Sequence, residues 1–282
     1  MTHRIAVLGA AIALPAMIAA SAWWWSGSAP DTGSQSGGAQ AAEAALPVPP
    51  VPPRIAEGAE YEKCLAMLPA DPQGAGDYAE AWAARGGGEG AAHCAALSKV
   101  ELGNTEAGAT DLQRLAGGSH GGEAARAAIY GQADQAWLMA GKAAEAYGAA
   151  TLGLSLSPDD ADLLLDRAIA AGSLNRFQDA LDDLTHVLEL DPKRPDALVL
   201  RGSSWRHLGH LDLAQDDVDR ALALDPGSPD GLLERGILRQ RHNDARGARA
   251  DWERAIDLAP DGPTADLAQQ NLALLDAGPE QK

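Results

Sequence analysis

The sequence predicts an all-α fold, an α-solenoid in which pairs of helices stack one after another. The first observation is a copy: the stretch "LELDPKRPDALVLRG" at residues 188–202 returns 34 residues later as "LALDPGSPDGLLERG". The second is composition, since alanine and glycine are abundant and aromatic residues make up 4% of the chain. Small residues favour closely packed helices over a β-sandwich, and a repeat of this length indicates stacked helical units.

The first residues of the chain predict an export signal. A basic start, "MTHR", precedes the uncharged apolar run "IAVLGAAIALPAMIAA", and Ala20-Ser21-Ala22 then supplies small residues at the spacing of a cleavage site. We therefore expect residues 1–22 to be a signal peptide. The alternative is an uncleaved membrane anchor reaching about residue 25, because this stretch is also long enough to span and ends in three tryptophans. Both interpretations place the rest in the periplasm, either soluble or anchored to the inner membrane.

Residues 26–56 predict a disordered tether between this signal and the folded part. The segment is rich in proline, glycine, serine and alanine and includes the run "PVPPVPPR". It has too little apolar content to form a core of its own, and its proline run favours an extended conformation.

The acidic composition disfavours two classes of partner. The chain has 40 aspartate and glutamate residues against 22 lysine and arginine residues, a formal net charge of −18. Without a basic surface the protein has little to displace counterions from nucleic acid or to attract anionic lipid, so we expect no nucleic-acid partner.

Five series of residues recur every 34 positions from residue 127 onward. In one series a glycine or asparagine can take the left-handed conformation that ends the first helix of a pair, and an alanine five residues later is small where the two helices cross. A leucine two residues before each proline is expected to fill the seam between units, and the proline ends the second helix. The series are Gly141, Asn175, Gly209 and Asn243; Ala146, Ala180, Ala214 and Ala248; Leu156, Leu190, Leu224 and Leu258; Pro158, Pro192, Pro226 and Pro260; and Tyr130, Leu164, Leu198 and Leu232.

On these residues the chain resembles a tetratricopeptide repeat (TPR) protein, of the exported bacterial type, built from 34-residue helix-turn-helix units. The small residue that the family has late in the first helix is met by Ala168, Gly202 and Gly236, whereas the first unit has Asp134 there. The resemblance implies four units in register, a capping helix that covers the last apolar face, and an irregular helical region before the array that contains a divergent unit. The units are 127–160, 161–194, 195–228 and 229–262, the capping helix is 263–278, the irregular region is 57–126 and the divergent unit is 89–122.

Cys64 and Cys94 are the two cysteines of the chain, and both lie in the irregular region. In an exported chain such a pair predicts a disulfide. Two separate buried thiols are the alternative.

The chemistry of an enzyme finds little support in the sequence. Residues 117–121 match the G-x-S-x-G pattern of a hydrolase, but that chemistry needs a strand before the serine, and this stretch lies between helical units. We therefore expect no enzyme activity. The alternative is an enzyme, or an accessory subunit of an envelope enzyme, with its chemistry in residues 57–126, where the candidates are His93, Cys94, Ser119 and His120.

Histidine spacing gives no metal site. His207 and His210 stand close together in "WRHLGH", but a metal ion needs further ligands and no neighbouring spacing supplies them. We expect neither a metal nor a cofactor.

The resemblance also implies where a partner binds. TPR proteins contact ligands mostly from places 2, 5, 9, 12 and 13 of each unit, on the concave side. We expect apolar residues there and a basic edge of Arg206, His207 and Arg241, which together dock a peptide with apolar anchors and an acidic residue. Alternatively, place 9 is partly buried core and the arginines pair with carboxylates such as Glu234. The groove candidates are Leu165, Ile169, Val199, Ser203, Arg206, His207, Leu233, Ile237 and Arg241.

These features together predict a protein–protein interaction scaffold of the bacterial cell envelope, which binds a partner peptide or protein on its concave surface. Besides the enzyme alternative, a self-assembling structural module remains open, since repeat proteins can stack end to end.

Overall fold

The computed structural model describes residues 54–278, and in this range the chain forms thirteen α-helices and no strand. The prediction of an all-α solenoid is confirmed. The predicted signal peptide or anchor and the tether up to residue 53 lie outside the described residues. The helices are α1 (Ala59–Met67), α2 (Pro72–Ala83), α3 (Gly88–Glu101), α4 (Thr105–Gly118), α5 (Glu123–Met139), α6 (Ala143–Leu154), α7 (Ala161–Ser173), α8 (Phe177–Leu190), α9 (Pro195–His207), α10 (Leu211–Leu224), α11 (Pro229–Arg241), α12 (Ala245–Leu258) and α13 (Pro263–Ala277).

The helices pack in chain order as a row of pairs. The pairs α7–α8, α9–α10 and α11–α12 lie within the expected repeat units, and α3–α4 lies in the region of the divergent unit. The pair α5–α6 corresponds to the first unit, but α5 begins at Glu123, before the expected start at residue 127. The first helices also contact each other from unit to unit, whereas the second helices within the described range make no comparable contact with each other. The first helices therefore lie closer together and line the concave side of the stack. None of the helices in this range is both long and apolar enough to cross a membrane.

The turn inside each unit uses the residue type that the sequence predicts. A residue with positive φ follows the first helix of every unit, which lets the chain reverse and start the second helix. Asparagine serves this purpose in two units because its short polar side chain tolerates the left-handed region. The residues and their φ values are Gly141 (70°), Asn175 (58°), Gly209 (84°) and Asn243 (63°).

Two of the predicted apolar series form the core. The alanines of the crossing series are at most 1% exposed, and the series that begins with Tyr130 and continues with leucines is at most 6% exposed. The core is continuous between units because leucines of one unit pack with alanines and valines of the next. The burial of the alanines agrees with the helix-crossing role that the 34-residue period assigns to them.

The leucine series that the period assigns to the seams fills them only in part. Leu190 and Leu224 are each 45% exposed, whereas Leu188 and Leu222, two residues earlier, are each 7% exposed and lie in the core. Two residues correspond to roughly 200° around an α-helix, so the two positions face opposite sides. The expectation is therefore wrong for Leu190 and Leu224, and the seam is filled from the earlier position.

A salt bridge ties together the two helices of each of the last three units. An arginine at place 7 donates from Nε and Nη2 to both oxygens of an aspartate 16 residues later, at 2.7–2.9 Å. All three carboxylates are buried, and the planar guanidinium suits two parallel bonds. The first unit has Ala133 and Ala149 in these places. The pairs are Arg167–Asp183, Arg201–Asp217 and Arg235–Asp251.

A disulfide closes the N-terminal part of the array. Cys64 on α1 is bonded to Cys94 on α3, as predicted, and the bridge closes a loop with a sequence separation of 30 residues. Both cysteines are completely buried with alanines of α2 and with Leu68. The bond therefore fastens the first helix to the part of the chain where the repeat is least regular.

Helix α13 covers the C-terminal end of the array. Its Leu267 and Ala268 pack with Trp252 of α12 in one apolar cluster. Thr264, at the start of α13, donates a hydrogen bond to Asp230 at the start of α11. The predicted capping helix is thus confirmed, because it buries the apolar face that the last unit leaves uncovered.

Candidate peptide-binding groove

The groove is the concave surface formed by the first helices α5, α7, α9 and α11. Its predicted residues at place 5, Leu165, Val199 and Leu233, are 8%, 4% and 8% exposed and belong to the core. The place-9 isoleucines, Ile169 and Ile237, are half-buried and border the same clusters. Place 9 therefore supplies the apolar surface of the groove, while place 5 supports it from below.

The side chain of Arg206 is engaged in a salt bridge and is not available at the edge of the groove. Its Nε and Nη2 both bond to the buried carboxylate of Glu234 on α11, and Nη2 also donates to Ser203 Oγ at 3.2 Å. The side chain is 10% exposed. The guanidinium therefore holds α9 to α11, as in the pairing alternative for this arginine, and it offers little charge to a ligand.

His207 contributes a flat neutral surface instead of a charge. Its ring stacks on Phe177, with centroids 4.2 Å apart and planes at 8°. Burial, together with the charges of Arg206 and Arg241, lowers the pKa of His207 to about 4. The imidazole is neutral at pH 7, so of the three residues expected to form a basic edge, Arg241 is the one that is both charged and exposed.

The opposite rim of the groove is acidic. Place 2 is an aspartate in three consecutive units, at the N-terminal ends of α7, α9 and α11, where a negative charge interacts favourably with the helix dipole. Arg194 bonds to the first two of these aspartates at 2.8 and 3.2 Å. Place 2 is among the expected contact places, but these aspartates are not among the groove candidates named from the sequence, although the 34-residue period is the signal that reveals them. The aspartates are Asp162, Asp196 and Asp230.

A pair of carboxyls, one buried and one half-buried, lies where the first unit meets the second. Asp134 on α5 is 0% exposed, and neither of its oxygens accepts a hydrogen bond from a donor group among residues 54–278. Its neighbour is the carboxyl of Asp166 on α7, which accepts a bond from Gln135 Nε2 at 3.1 Å. Burial raises the pKa of Asp134 far above the ordinary aspartate value, and the negative charge of Asp166 raises it further. Burial raises the pKa of Asp166 as well.

The enzyme candidates of residues 57–126 do not assemble into a catalytic group. Cys94 is held in the disulfide, and Ser119 Oγ donates to Glu89 at 2.8 Å. His120 is exposed, and its backbone N–H bonds to the same glutamate. Ser119 follows the end of α4 rather than a strand. Glu89 thereby fastens the loop between α4 and α5, and its bond from Ser119 lowers its pKa.

His93, the remaining candidate, belongs to a buried hydrogen-bond chain. Its Nδ1 lies 2.5 Å from Tyr61 OH and its Nε2 lies 2.5 Å from Gln132 Oε1. Because an amide oxygen only accepts, Nε2 carries the proton and Tyr61 donates to Nδ1. Burial lowers the pKa of His93 and raises that of Tyr61 to about 12, so the chain is neutral and joins α1, α3 and α5. Within residues 54–278 no three histidine, cysteine or acidic side chains are placed to hold a metal ion.

Comparison with known proteins identifies the family. The family model described as tetratricopeptide repeat matches residues 138–202 and 207–273. Both matched stretches are tetratricopeptide repeats. The matched residues run from the end of α5 through α13, the part in which the 34-residue period is regular. The TPR fold suggests a protein–protein interaction scaffold, and proteins of this family are in general not enzymes.

Solved structures share the fold of this TPR protein at low sequence identity. A crystal structure of MamA is 14% identical with a TM-score of 0.50, and the match covers 58% of this chain and 93% of that one. TTC0263, a TPR protein of Thermus thermophilus, is 19% identical with a TM-score of 0.52 and coverage of 66% and 98%. A chain of the Cut9–Hcn1 hetero-tetramer is 15% identical with a TM-score of 0.57, and the match covers 76% of this chain but 42% of that one. No curated protein sequence matches the TPR protein described here.

Proposed function

We propose that this TPR protein is an interaction scaffold of the bacterial cell envelope that binds a peptide or protein segment along its concave groove. The observation that carries the proposal is the groove itself. Ile169 and Ile237 offer apolar surface between an aspartate rim on one side and Arg241 on the other. A surface that combines apolar anchors with charged rims suits an extended or helical peptide.

Site-specific photo-crosslinking tests this placement. A photoreactive amino acid at Ser173 or Arg241 lies on the groove, whereas one at Thr185 or Arg246 lies on the exposed surface of the second helices. In envelope preparations we expect one shared partner to be crosslinked from the two groove positions. Crosslinking of that partner from the second helices alone would contradict binding in the groove.

A matched pair of charge reversals gives an independent measure. Arg241→Glu changes the groove's exposed cation, and Arg246→Glu makes the same change near the start of α12. We expect the first variant to capture less of the crosslinked partner and the second to capture the wild-type amount. If both variants capture equal amounts of the partner, the charge at Arg241 does not contribute to binding.

We further propose that the folded part lies outside the cytoplasm, either soluble in the periplasm or anchored to the inner membrane. The N-terminal sequence supports this location, and so does the Cys64–Cys94 disulfide, because such bonds persist in oxidising compartments. Protease added to intact spheroplasts should degrade the protein while a cytoplasmic marker survives. The mass of the N-terminal peptide then distinguishes cleavage after Ala22 from an uncleaved anchor.

A further inference from the structure

The contact between Arg206 and Glu234 has a counterpart two units earlier that lacks its cation. Arg206 occupies place 12 of one unit and Glu234 occupies place 6 of the next, 28 residues later. Two units earlier, the same two places hold Leu138 and Asp166. At the joint between the first and second units the acidic residue is present as Asp166, but leucine stands in place of the arginine. The carboxyl of Asp166 therefore lacks the guanidinium that Arg206 provides to Glu234.

Asp134 adds a second carboxyl to the same joint. It occupies the place where the other units have Ala168, Gly202 and Gly236, so a small apolar residue fits there. No donor among the described residues bonds to the buried Asp134, and its hydrogen-bonding neighbour is a second carboxyl, Asp166, with which it can bond only while one of the two carries a proton. Such a carboxyl is costly, and its presence at a position that alanine fills elsewhere indicates a purpose other than packing.

The charged residues around Asp134 and Asp166 do not balance the negative charge of this pair. Asp160 and Asp162 at the start of α7 add negative charge near Asp166, and Gln135 on α5 is neutral. Arg194, before α9, is the cation that acts on Asp166, and it is already bonded to Asp162 and to a further aspartate of the rim. The joint therefore retains an excess of acid that faces the groove through the half-buried Asp166.

We propose that Asp134 and Asp166 form a subsite for a basic side chain, an arginine in preference to a lysine, of the peptide bound in the groove. The ligand's guanidinium takes the place relative to Asp166 that Arg206 takes relative to Glu234. Leu138, which holds the place of the chain's own arginine, is packed in the core with Ala146 and Ala170, so the ligand's guanidinium approaches from the groove side, where Asp166 is half-buried. This inference rests on the proposed peptide-binding function.

Binding of an arginine side chain should release a proton from the Asp134–Asp166 pair. Without a ligand, the buried Asp134 and the half-buried Asp166 together retain a proton, because two negative charges on neighbouring carboxyls disfavour each other. An entering guanidinium favours the doubly ionised pair, so the proton leaves to solvent as the charge-assisted hydrogen bonds form. The affinity for arginine should therefore increase with pH.

The test uses full-length protein and a pair of nearly isosteric probes, Nα-acetyl-arginine methylamide and its uncharged citrulline counterpart. We expect saturable NMR shifts at Asp134, Gln135 and Asp166 with the arginine probe, and at least tenfold weaker binding of the citrulline probe. Asp134→Ala and Asp166→Asn should each weaken binding of the arginine probe about tenfold, since each variant removes negative charge that the guanidinium would otherwise balance. Asp134→Ala copies Ala168, so it should fold.

Several outcomes would overturn the subsite. Equal binding of the two probes, or unchanged binding in both variants, would show that the pair does not recognise the cation. Competition by Mg²⁺ or Ca²⁺ at the same concentration as the arginine probe would make the joint a metal site instead. If crosslinking finds the partner in the groove while the arginine probe fails, the subsite is wrong and the proposed function stands. If crosslinking places the partner elsewhere, the proposed function fails whatever the probe shows.

Discussion

Arg167 and Asp183 face each other across the second repeat unit, with Nε–Oδ2 and Nη2–Oδ1 distances of 2.8 and 2.7 Å. The contact joins the first helix of the unit to the second at a point where the carboxylate is buried. It recurs in the next two units and is replaced by Ala133 and Ala149 in the first. The chain therefore contains both a bridged form and an apolar form of the same helix crossing.

Removing one side of this bridge should cost more than removing both. Arg167→Ala leaves the buried Asp183 without its partner, and we expect the free energy of unfolding to fall by about 3 kcal/mol. The double variant with Arg167→Ala and Asp183→Ala copies the first unit and should regain most of that loss. Urea denaturation followed by circular dichroism measures both. If the double variant is as unstable as Arg167→Ala alone, the unpaired carboxylate of Asp183 is not the cause of the stability loss.

The two leucines near the end of α8 should differ sharply. Leu188→Ala removes a buried side chain, and we expect a loss of about 2–5 kcal/mol in the free energy of unfolding. Leu190→Ala changes a side chain that is 45% exposed and should cost less than about 1 kcal/mol. Urea denaturation of the two variants under the same conditions shows which leucine fills the seam between units, Leu188 as in the structure or Leu190 as the period predicts.

Asp134→Ala should stabilise the protein increasingly as the pH rises. The unfolded-state pKa of an aspartate is about 3.9, and burial raises the pKa in the folded state, so ionisation of Asp134 opposes folding. Below the unfolded pKa the carboxyl is protonated in both states and contributes no such penalty. Above it, the wild type loses stability relative to the variant until the folded-state pKa is passed. Thermal midpoints measured from pH 4 upward should therefore diverge, and a constant difference would contradict a raised pKa.

The disulfide should stabilise the N-terminal helices selectively. For its loop of about 30 residues the chain-entropy model gives roughly 3–4 kcal/mol, and we expect a loss of this size when Cys64 and Cys94 are both replaced by alanine. Hydrogen exchange should then increase in α1 and α2. Amides of α9 to α12 serve as the internal control, because those helices share no contact with the bridge. A uniform increase along the whole chain would argue against a local effect.

Arg241 should control the titration of His207. The charges of Arg206 and Arg241 add to burial in lowering the pKa of His207 to about 4. Arg241→Ala removes one of these charges and should raise that pKa, which NMR observation of the ring protons can follow. Arg246→Ala, with the same change near the start of α12, should leave the titration where it is.

The repeat allows much of the fold to be predicted, because a place that recurs every 34 residues has the same packing role in each unit. Gly141 and Asn175 are therefore predicted correctly as turn residues with positive φ. Near the end of a helix, the 34-residue period does not predict whether a recurring residue faces the core or the solvent. This is why the period assigns Leu190 to the seam that Leu188 fills.

Contacts between units are harder to predict than contacts within them. Pairing of Arg206 with Glu234 is one of two alternatives that the sequence leaves open, and the stacking of α9 on α11 is what decides for it. Asp134 is visible as an exception to the repeat, but nothing in the sequence indicates that Asp166 is its neighbour. The bridges such as Arg167–Asp183 recur with the period, so they are open to prediction from polar as well as apolar series.

The arginine–aspartate bridges also bear on how such an array changes length. Each bridge is contained within one unit, because its two residues are 16 positions apart. A duplication or deletion of 34 residues therefore carries a complete bridge with it and leaves its neighbours intact. The Arg206–Glu234 contact and the Asp134–Asp166 pair each join two units, so the deletion of one of those units removes a member of the contact. Gain or loss of whole units thus preserves the bridges within units, while it can change which contacts between units the array contains.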